Sequence, residues 1–309
     1  MEILYFLESI RIPGLNEFML LITRLGEETA FLVLALVIFW CVDKYQGYYV
    51  LGVGMLGNLA NQFLKIACRV PRPWVRDPEF TVLGNAKEAA TGYSFPSGHT
   101  QTAVGTFGCI ATATRRRWVR ILCIAVAVTV GISRMYLGVH YPSDVLVGGG
   151  MALVMVLLLR PMMTEKGRKS IPWIFGSLIV LSGAFLMYVS IYPFPADLDA
   201  HNYESALKNS YTFLGTNAGV LAVYLADEKK LNFRTKAVWW AQILKAVLGL
   251  ALVLAVKEGL RAPLEALFAG HLAARAVRYF LIVVVAGIVW PLSFRWFEKL
   301  GNRGKDGEK

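Results

Sequence analysis

This chain predicts an all-α, polytopic membrane protein, on three observations. Hydrophobic residues fill 56% of its 309 positions and mean hydropathy is +0.51, where a soluble domain has an apolar share of about 45–50%. Apolar runs approaching the roughly 20 residues that cross a bilayer recur along the whole length. The 32 lysines and arginines, against 21 acidic residues, gather in short stretches between those runs. A net charge of +11 is also that of a nucleic-acid binder. Basic residues placed between apolar runs instead follow the orientation rule of membrane proteins, so no nucleic-acid partner is expected and anionic lipid head groups are.

The opening, "MEILYFLESIRIPGLNEFML", is amphipathic, broken at Pro13–Gly14 and acidic at its start, without the basic flank of a signal peptide. Residues 1–24 read as an interfacial segment. Nine spans follow, over 25–42, 47–66, 99–114, 119–138, 143–160, 171–192, 209–226, 237–256 and 277–297. The stretches 114–120, 160–170, 227–236 and the tail 298–309 each hold four Lys/Arg, and alternation of nine spans puts them together. That side is predicted to be cytoplasmic, with the carboxyl terminus. The amino terminus and the stretches 67–98, 139–142, 193–208 and 257–276 face the other way. Cys41, Cys68, Cys109 and Cys123 have no metal-type spacing and read as small apolar residues.

Three polar clusters fall on the extracytoplasmic side. In "KIACRVPRPW", Lys65 closes a helix whose Asn58, Asn61 and Gln62 share its face. One lysine at a helix end ordinarily snorkels to the interface. Arg69 and Arg72 add cations, while Pro71 and Pro73 stiffen the exit, which points to a cation pocket. In "YSFPSGHTQT", Ser97 suits an N-cap and Gly98 lets a ligand approach the backbone. The free N–H groups of the helix start then form an anion site, with His99 in the first turn. A plain helix start would account for Ser97 and Gly98 equally. In "SRMYLGVHYPSD", Arg134 ends one span, His140 lies in the connection, and Asp144 sits in the first turn of the next helix. The helix dipole alone favours an aspartate there. Asp144 can also accept the His140 Nδ1–H, leaving Nε2 nucleophilic.

Lys65-x6-Arg72-Pro73, Pro96-Ser97-Gly98-His99 and Ser133-Arg134-x5-His140-x3-Asp144 resemble, in order and spacing, the three-part signature of the type 2 phosphatidic acid phosphatase superfamily. That family includes lipid phosphate phosphatases, undecaprenyl pyrophosphate phosphatases, glucose-6-phosphatase and vanadium haloperoxidases. The resemblance covers about residues 20 to 160. It implies a phosphatase core over 25–165, in which Lys65, Arg72, Arg134, Ser97 and Gly98 bind phosphate. It also implies that His140 attacks phosphorus to form a phosphohistidine supported by Asp144, and that His99 protonates the leaving oxygen. No metal or other cofactor is implied, and the substrate is expected to be a lipid phosphate or pyrophosphate held in the cell membrane. Trp74, Phe80, Tyr93 and Phe95 are placed to lie at the interface or line an entrance.

Residues 166–309 read as a transmembrane extension outside the signature. In it Gly215-x3-Gly219 is a close-packing pattern, and Asn209, Thr212 and Thr216 share a helix face. Helix packing explains these best, with substrate selection as the sharper reading. His201 and His271 lack the spacing of a metal or base site, and the role of Arg69 is open. Nine spans with an external amino terminus also resemble glucose-6-phosphatase, which makes a soluble sugar phosphate the competing substrate. A lipid phosphotransferase and a non-enzymatic scaffold are the remaining alternatives.

Overall fold

The computed structural model describes residues 1–90, 92–195 and 198–300. Part of the polar loop after Tyr192 and most of the basic tail therefore lie outside the described residues. Among those described, regular structure is helical throughout: α1 (Glu2–Ser9), α2 (Pro13–Ile22), α3 (Glu28–Val37), α4 (Lys44–Cys68), and two one-turn helices, α5 (Pro73–Arg76) and α6 (Ala86–Ala89). Then come α7 (Gly98–Ala113), α8 (Arg117–Tyr136), α9 (Pro142–Leu159), α10 (Glu165–Arg168), α11 (Ile171–Ile191) and α12 (Ala200–Ala226). The chain ends with α13 (Trp239–Gly259), α14 (Arg261–Leu267), α15 (Ala273–Val284) and α16 (Phe294–Leu300).

Five stretches are long and apolar enough to cross a membrane: Arg117–Tyr136, Pro142–Met163, Ile171–Ile191, Trp239–Leu267 and Ala273–Leu300. A sixth forms if Pro13–Gly26 and Glu28–Val42, bent by 55° at their junction, count as one broken span. Three of the nine expected spans, in α4, α7 and α12, are not among these. α7 is 16 residues long, and polar side chains lie along the other two, among them Asn58, Asn61 and Gln62 in α4 and Asn209, Thr212 and Thr216 in α12.

The chain divides into two compact units. The first holds Met1–Leu32, Val50–Arg160 and Tyr188–Leu207. Within it α7, α8 and α9 pack closely through small residues: Gly108 lies against Val156, and Gly131 against Val145 and Thr100. The amino-terminal helices are tied to the end of α8. Arg11 donates to the Tyr136 carbonyl at 2.8 and 3.1 Å, and the Tyr136 hydroxyl to Asn16 Oδ1 at 2.7 Å.

The second unit holds Val33–Tyr49, Pro161–Met187 and the chain from Lys208 onward. Gly215 and Gly219 bring α12 against α15, where a Cβ on Gly215 would run into the Ala276 backbone. The indole of Trp40 donates to the Ala286 carbonyl at 2.9 Å, and Lys44 pairs with Asp227 at 2.6 Å out of solvent. Removing one partner of such a pair costs about 3–5 kcal/mol, because the other is left as an uncompensated buried charge.

Candidate active site

Each of the three clusters sits where a helix begins or ends, and the local sequence explains why. α4 closes after Lys65, with Arg69 at φ 50° in the left-handed region and its N–H donating to the Lys65 carbonyl at 3.0 Å. Pro71 and Pro73 cannot continue a helix, so Arg72 is extended and caps the short α5. Ser97 is the N-cap of α7: its hydroxyl accepts from the Thr100 N–H at 3.4 Å and bonds the Thr100 hydroxyl at 2.9 Å. The Phe95–Pro96 bond before it is cis. Arg134 occupies the last turn of α8, and Asp144 the first turn of α9.

These ends converge within the first unit. Lys65 Nζ donates to the Tyr93 carbonyl and Asn61 Nδ2 to the Pro96 carbonyl, which secures the loop before α7 on α4. Arg72 donates through Nε to the Gly92 carbonyl at 3.0 Å and through Nη1 to the Val139 carbonyl at 2.8 Å. The same Nη1 lies 3.0 Å from His140 Nε2. His140 Nδ1 lies 3.2 Å from Asp144 Oδ2, which also accepts the Ser94 hydroxyl at 2.5 Å and the Tyr141 N–H at 2.9 Å. The Ser97 N–H donates to the Asp144 carbonyl at 3.0 Å, joining the second cluster to the third.

The protonation of His140 follows from its neighbours. A guanidinium is a donor only, so Nε2 must accept from Arg72, and the ring proton is on Nδ1, directed at Asp144. The ring is buried, and that burial pulls its pKa well below the ordinary value, helped by the charges of Arg72, Lys65 and Arg134 and by His99. Burial also lowers the Arg72 guanidinium, to about 10, with Asp144 opposing the shift. Arg72 therefore stays charged at neutral pH while the imidazole beside it stays neutral.

Arg134 is 2% exposed; its Nη1 donates to the Thr23 hydroxyl at 2.7 Å, and its Nε is buried without a hydrogen-bond partner among the described residues. An unmet buried donor costs about 1–3 kcal/mol, so this one is available to an anion. A cavity of about 270 Å³ opens here, lined by Thr23, Arg24, Glu27, Asn85, His99 and Arg134 among others. Cationic donors, a neutral nucleophilic nitrogen and a second histidine suit an arriving phosphoryl group.

All eight expected site residues lie in this unit. Lys65, Arg72, Ser97, Arg134, His140 and Asp144 are buried, whereas Gly98 and His99 are partly open. Sequence reasoning missed Ser94 and Thr23. Neither hydroxyl carries a local signal, because the partners lie 50 and 111 positions away. Arg69 shapes the exit of α4. His271 accepts the Ala273 N–H at 3.1 Å at the start of α15 in the second unit, and His201 is exposed.

The family model described as PAP2 superfamily matches residues 46–168, and that described as PAP2 superfamily phosphatase, transmembrane extension, matches residues 211–303. The carboxyl-terminal half, outside the signature motifs, thus matches a family model of its own. Phosphatidylglycerophosphatase B of Bacillus subtilis (strain 168) is 33% identical over 166 residues, 49% of this chain and 76% of that protein. Undecaprenyl-diphosphatase BcrC of the same strain is 30% identical over 118 residues, 38% of this chain and 58% of that protein. Glucose-6-phosphatase 3 of Bos taurus is 26% identical over 210 residues, 61% of this chain and 60% of that protein.

Proposed function

The chain belongs to the PAP2 superfamily, and from that premise we propose that its buried histidine centre hydrolyses a lipid phosphate or diphosphate through a phosphohistidine. The protein is a phosphate hydrolase and a multi-pass membrane protein. The observation that carries the mechanism is the string Arg72–His140–Asp144, in which Nε2 holds a lone pair and Nδ1 holds the proton.

On substrate binding, Arg72 exchanges its contact with Nε2 for the phosphoryl oxygens, which it shares with Lys65, Arg134 and the Ser97–Gly98 helix start. Nε2 then bonds to phosphorus as the bond to the leaving oxygen breaks. His99 gives that oxygen a proton, and Asp144 stabilises the imidazolium. In the second half His99 takes a proton from water, the water oxygen bonds to phosphorus, and the phosphorus–nitrogen bond breaks to release inorganic phosphate. Positioning and fixed positive charge supply most of the rate, as in phosphoryl transfer generally.

In this reading the amino terminus is outside and the carboxyl terminus cytoplasmic, and the gathering of basic residues in the stretches 114–120, 160–170 and 227–236 supports a centre at the extracytoplasmic face of the cell membrane. A site near the surface suits a substrate whose tail stays in the bilayer, and phosphatidate, phosphatidylglycerol phosphate and undecaprenyl pyrophosphate all have that form. The glucose-6-phosphatase alignment is longer than the other two and favours a soluble sugar phosphate as second reading. A phosphate-release panel in detergent, with these three lipids and glucose 6-phosphate, tests the choice alongside His140→Ala. Turnover of a lipid and trapping of a phosphohistidine in wild type are expected, with both lost in a folded His140→Ala. Preference for the sugar phosphate would overturn the lipid reading, and retained turnover in the variant would overturn the nucleophile.

A further inference from the structure

The second unit carries two arginines that the chemistry of the histidine centre does not use. α15 buries Ala274, Arg278 and Ile282, four residues apart, on one stripe, so Arg278 occupies a core position of an otherwise apolar face. Arg278 is 9% exposed and, among the described residues, its Nε is buried without a hydrogen-bond partner. Among the described residues it makes no ion pair, and its recorded contact is with the Tyr279 ring, 5.4 Å from the guanidinium carbon. Arg275 lies one turn earlier. Its guanidinium carbon is also 5.4 Å from the centre of that ring, and its Nε donates to the Thr212 hydroxyl at 2.7 Å. Thr212 is itself buried, and its hydroxyl donates onward to the Lys208 carbonyl at 3.0 Å.

Two guanidinium groups beside one tyrosine ring, neither paired with a carboxylate, leave this end of α15 with positive charge that no described side chain neutralises. A charge held away from water is retained when an ion of opposite sign accompanies it. A planar fork of N–H donors matches the oxygens of a phosphate, two at a time. The close approach of α12 and α15 at Gly215 and Ala276 holds Thr212 beside Arg275, so the donors are preorganised instead of extended into solvent. The chain crosses a bilayer, and a phospholipid phosphate is the phosphate abundant at that depth.

We propose that Arg275 and Arg278, supported by Thr212, form an anion site in the transmembrane extension that binds the phosphate of an anionic phospholipid head group, separate from the phosphate-binding residues of the histidine centre. The same donors would accept free phosphate, and the test distinguishes the two sources. Full-length protein, delipidated in a neutral detergent, is titrated with phosphatidylglycerol, with phosphatidylcholine of the same chains, and with inorganic phosphate, while the thermal unfolding midpoint is followed. Phosphatidylglycerol has no phosphomonoester to hydrolyse, so the readout does not depend on turnover.

The lipid is expected to raise the midpoint of wild type, and phosphatidylcholine and inorganic phosphate are not. Arg278→Gln and Thr212→Val should each weaken the apparent affinity for phosphatidylglycerol, the first by about tenfold or more, since a hydrogen-bonded charge is lost. Hydrolysis of a short-chain phosphomonoester at wild-type rate shows that each variant is folded. Equal phosphatidylglycerol titrations in wild type and both variants would overturn the site. An equal response of wild type to inorganic phosphate would overturn the lipid assignment. Should Arg278→Gln fail to fold, Thr212→Val, which keeps both cations, decides the matter alone.

Discussion

Arg72 can only donate, and its place 3.0 Å from His140 Nε2 decides which ring nitrogen carries the proton. With burial and four neighbouring cationic or titratable groups all acting downward, the imidazolium form of His140 is disfavoured in the folded protein. The neutral nucleophile should therefore persist as pH falls through the ordinary histidine value of about 6.5. Titration of the labelled His140 ring by NMR in the substrate-free protein is expected to show a midpoint below that value, moving upward in Arg72→Gln. A midpoint at or above it would contradict the arrangement. Thr23 is a positioning residue, since its hydroxyl orients Arg134 without being among the donors assigned to phosphate. Thr23→Val should lower kcat/KM and weaken vanadate inhibition by about tenfold, with restoration by Thr23→Ser and little change in Tm. The motif residues were legible because their types and spacing are tied to phosphate chemistry. Ser94 and Thr23 were not, because a hydroxyl that meets its partner 50 or 111 positions away leaves no trace in local pattern.

At the scale of elements, helix ends carry the site, and small residues decide how closely those ends come together. A Cβ on Gly148 of α9 would lie 2.6 Å from the Ser97 carbonyl oxygen, whereas one on Gly150 would meet nothing within 4 Å. Gly148→Ala should therefore cost about 1–3 kcal/mol and reduce turnover by displacing the start of α7. Gly150→Ala should leave both stability and activity near wild type. Equal effects of the two in chemical denaturation would sink the explanation. Hydropathy does not count α4 among the membrane-crossing helices, and polar residues such as Asn58, Asn61 and Gln62 lie along it. Lys44 joins the buried pair with Asp227, and Lys65 donates to the Tyr93 carbonyl.

For the whole molecule, the proposed orientation, drawn from the asymmetry of basic stretches, predicts an extracytoplasmic centre. Intact spheroplasts should hydrolyse a membrane-impermeant phosphomonoester as fast as detergent-opened cells do, and tightly sealed inside-out vesicles should not. Activity confined to inside-out vesicles would reverse the orientation. Composition and apolar periodicity were enough for an all-helical membrane protein, and three motif blocks were enough for the family. They could do so because burial in lipid and phosphate chemistry each constrain residue type directly. Tertiary structure alone decided that Arg72 occupies the lone pair of His140, that Thr23 and Ser94 bond Arg134 and Asp144, and that Arg278 stands on the buried face of α15 without a counter-charge among the described residues. Those outcomes depend on which distant surfaces meet, and a guanidinium reads the same in sequence whether its neighbour is a carboxylate, a ring nitrogen or nothing at all.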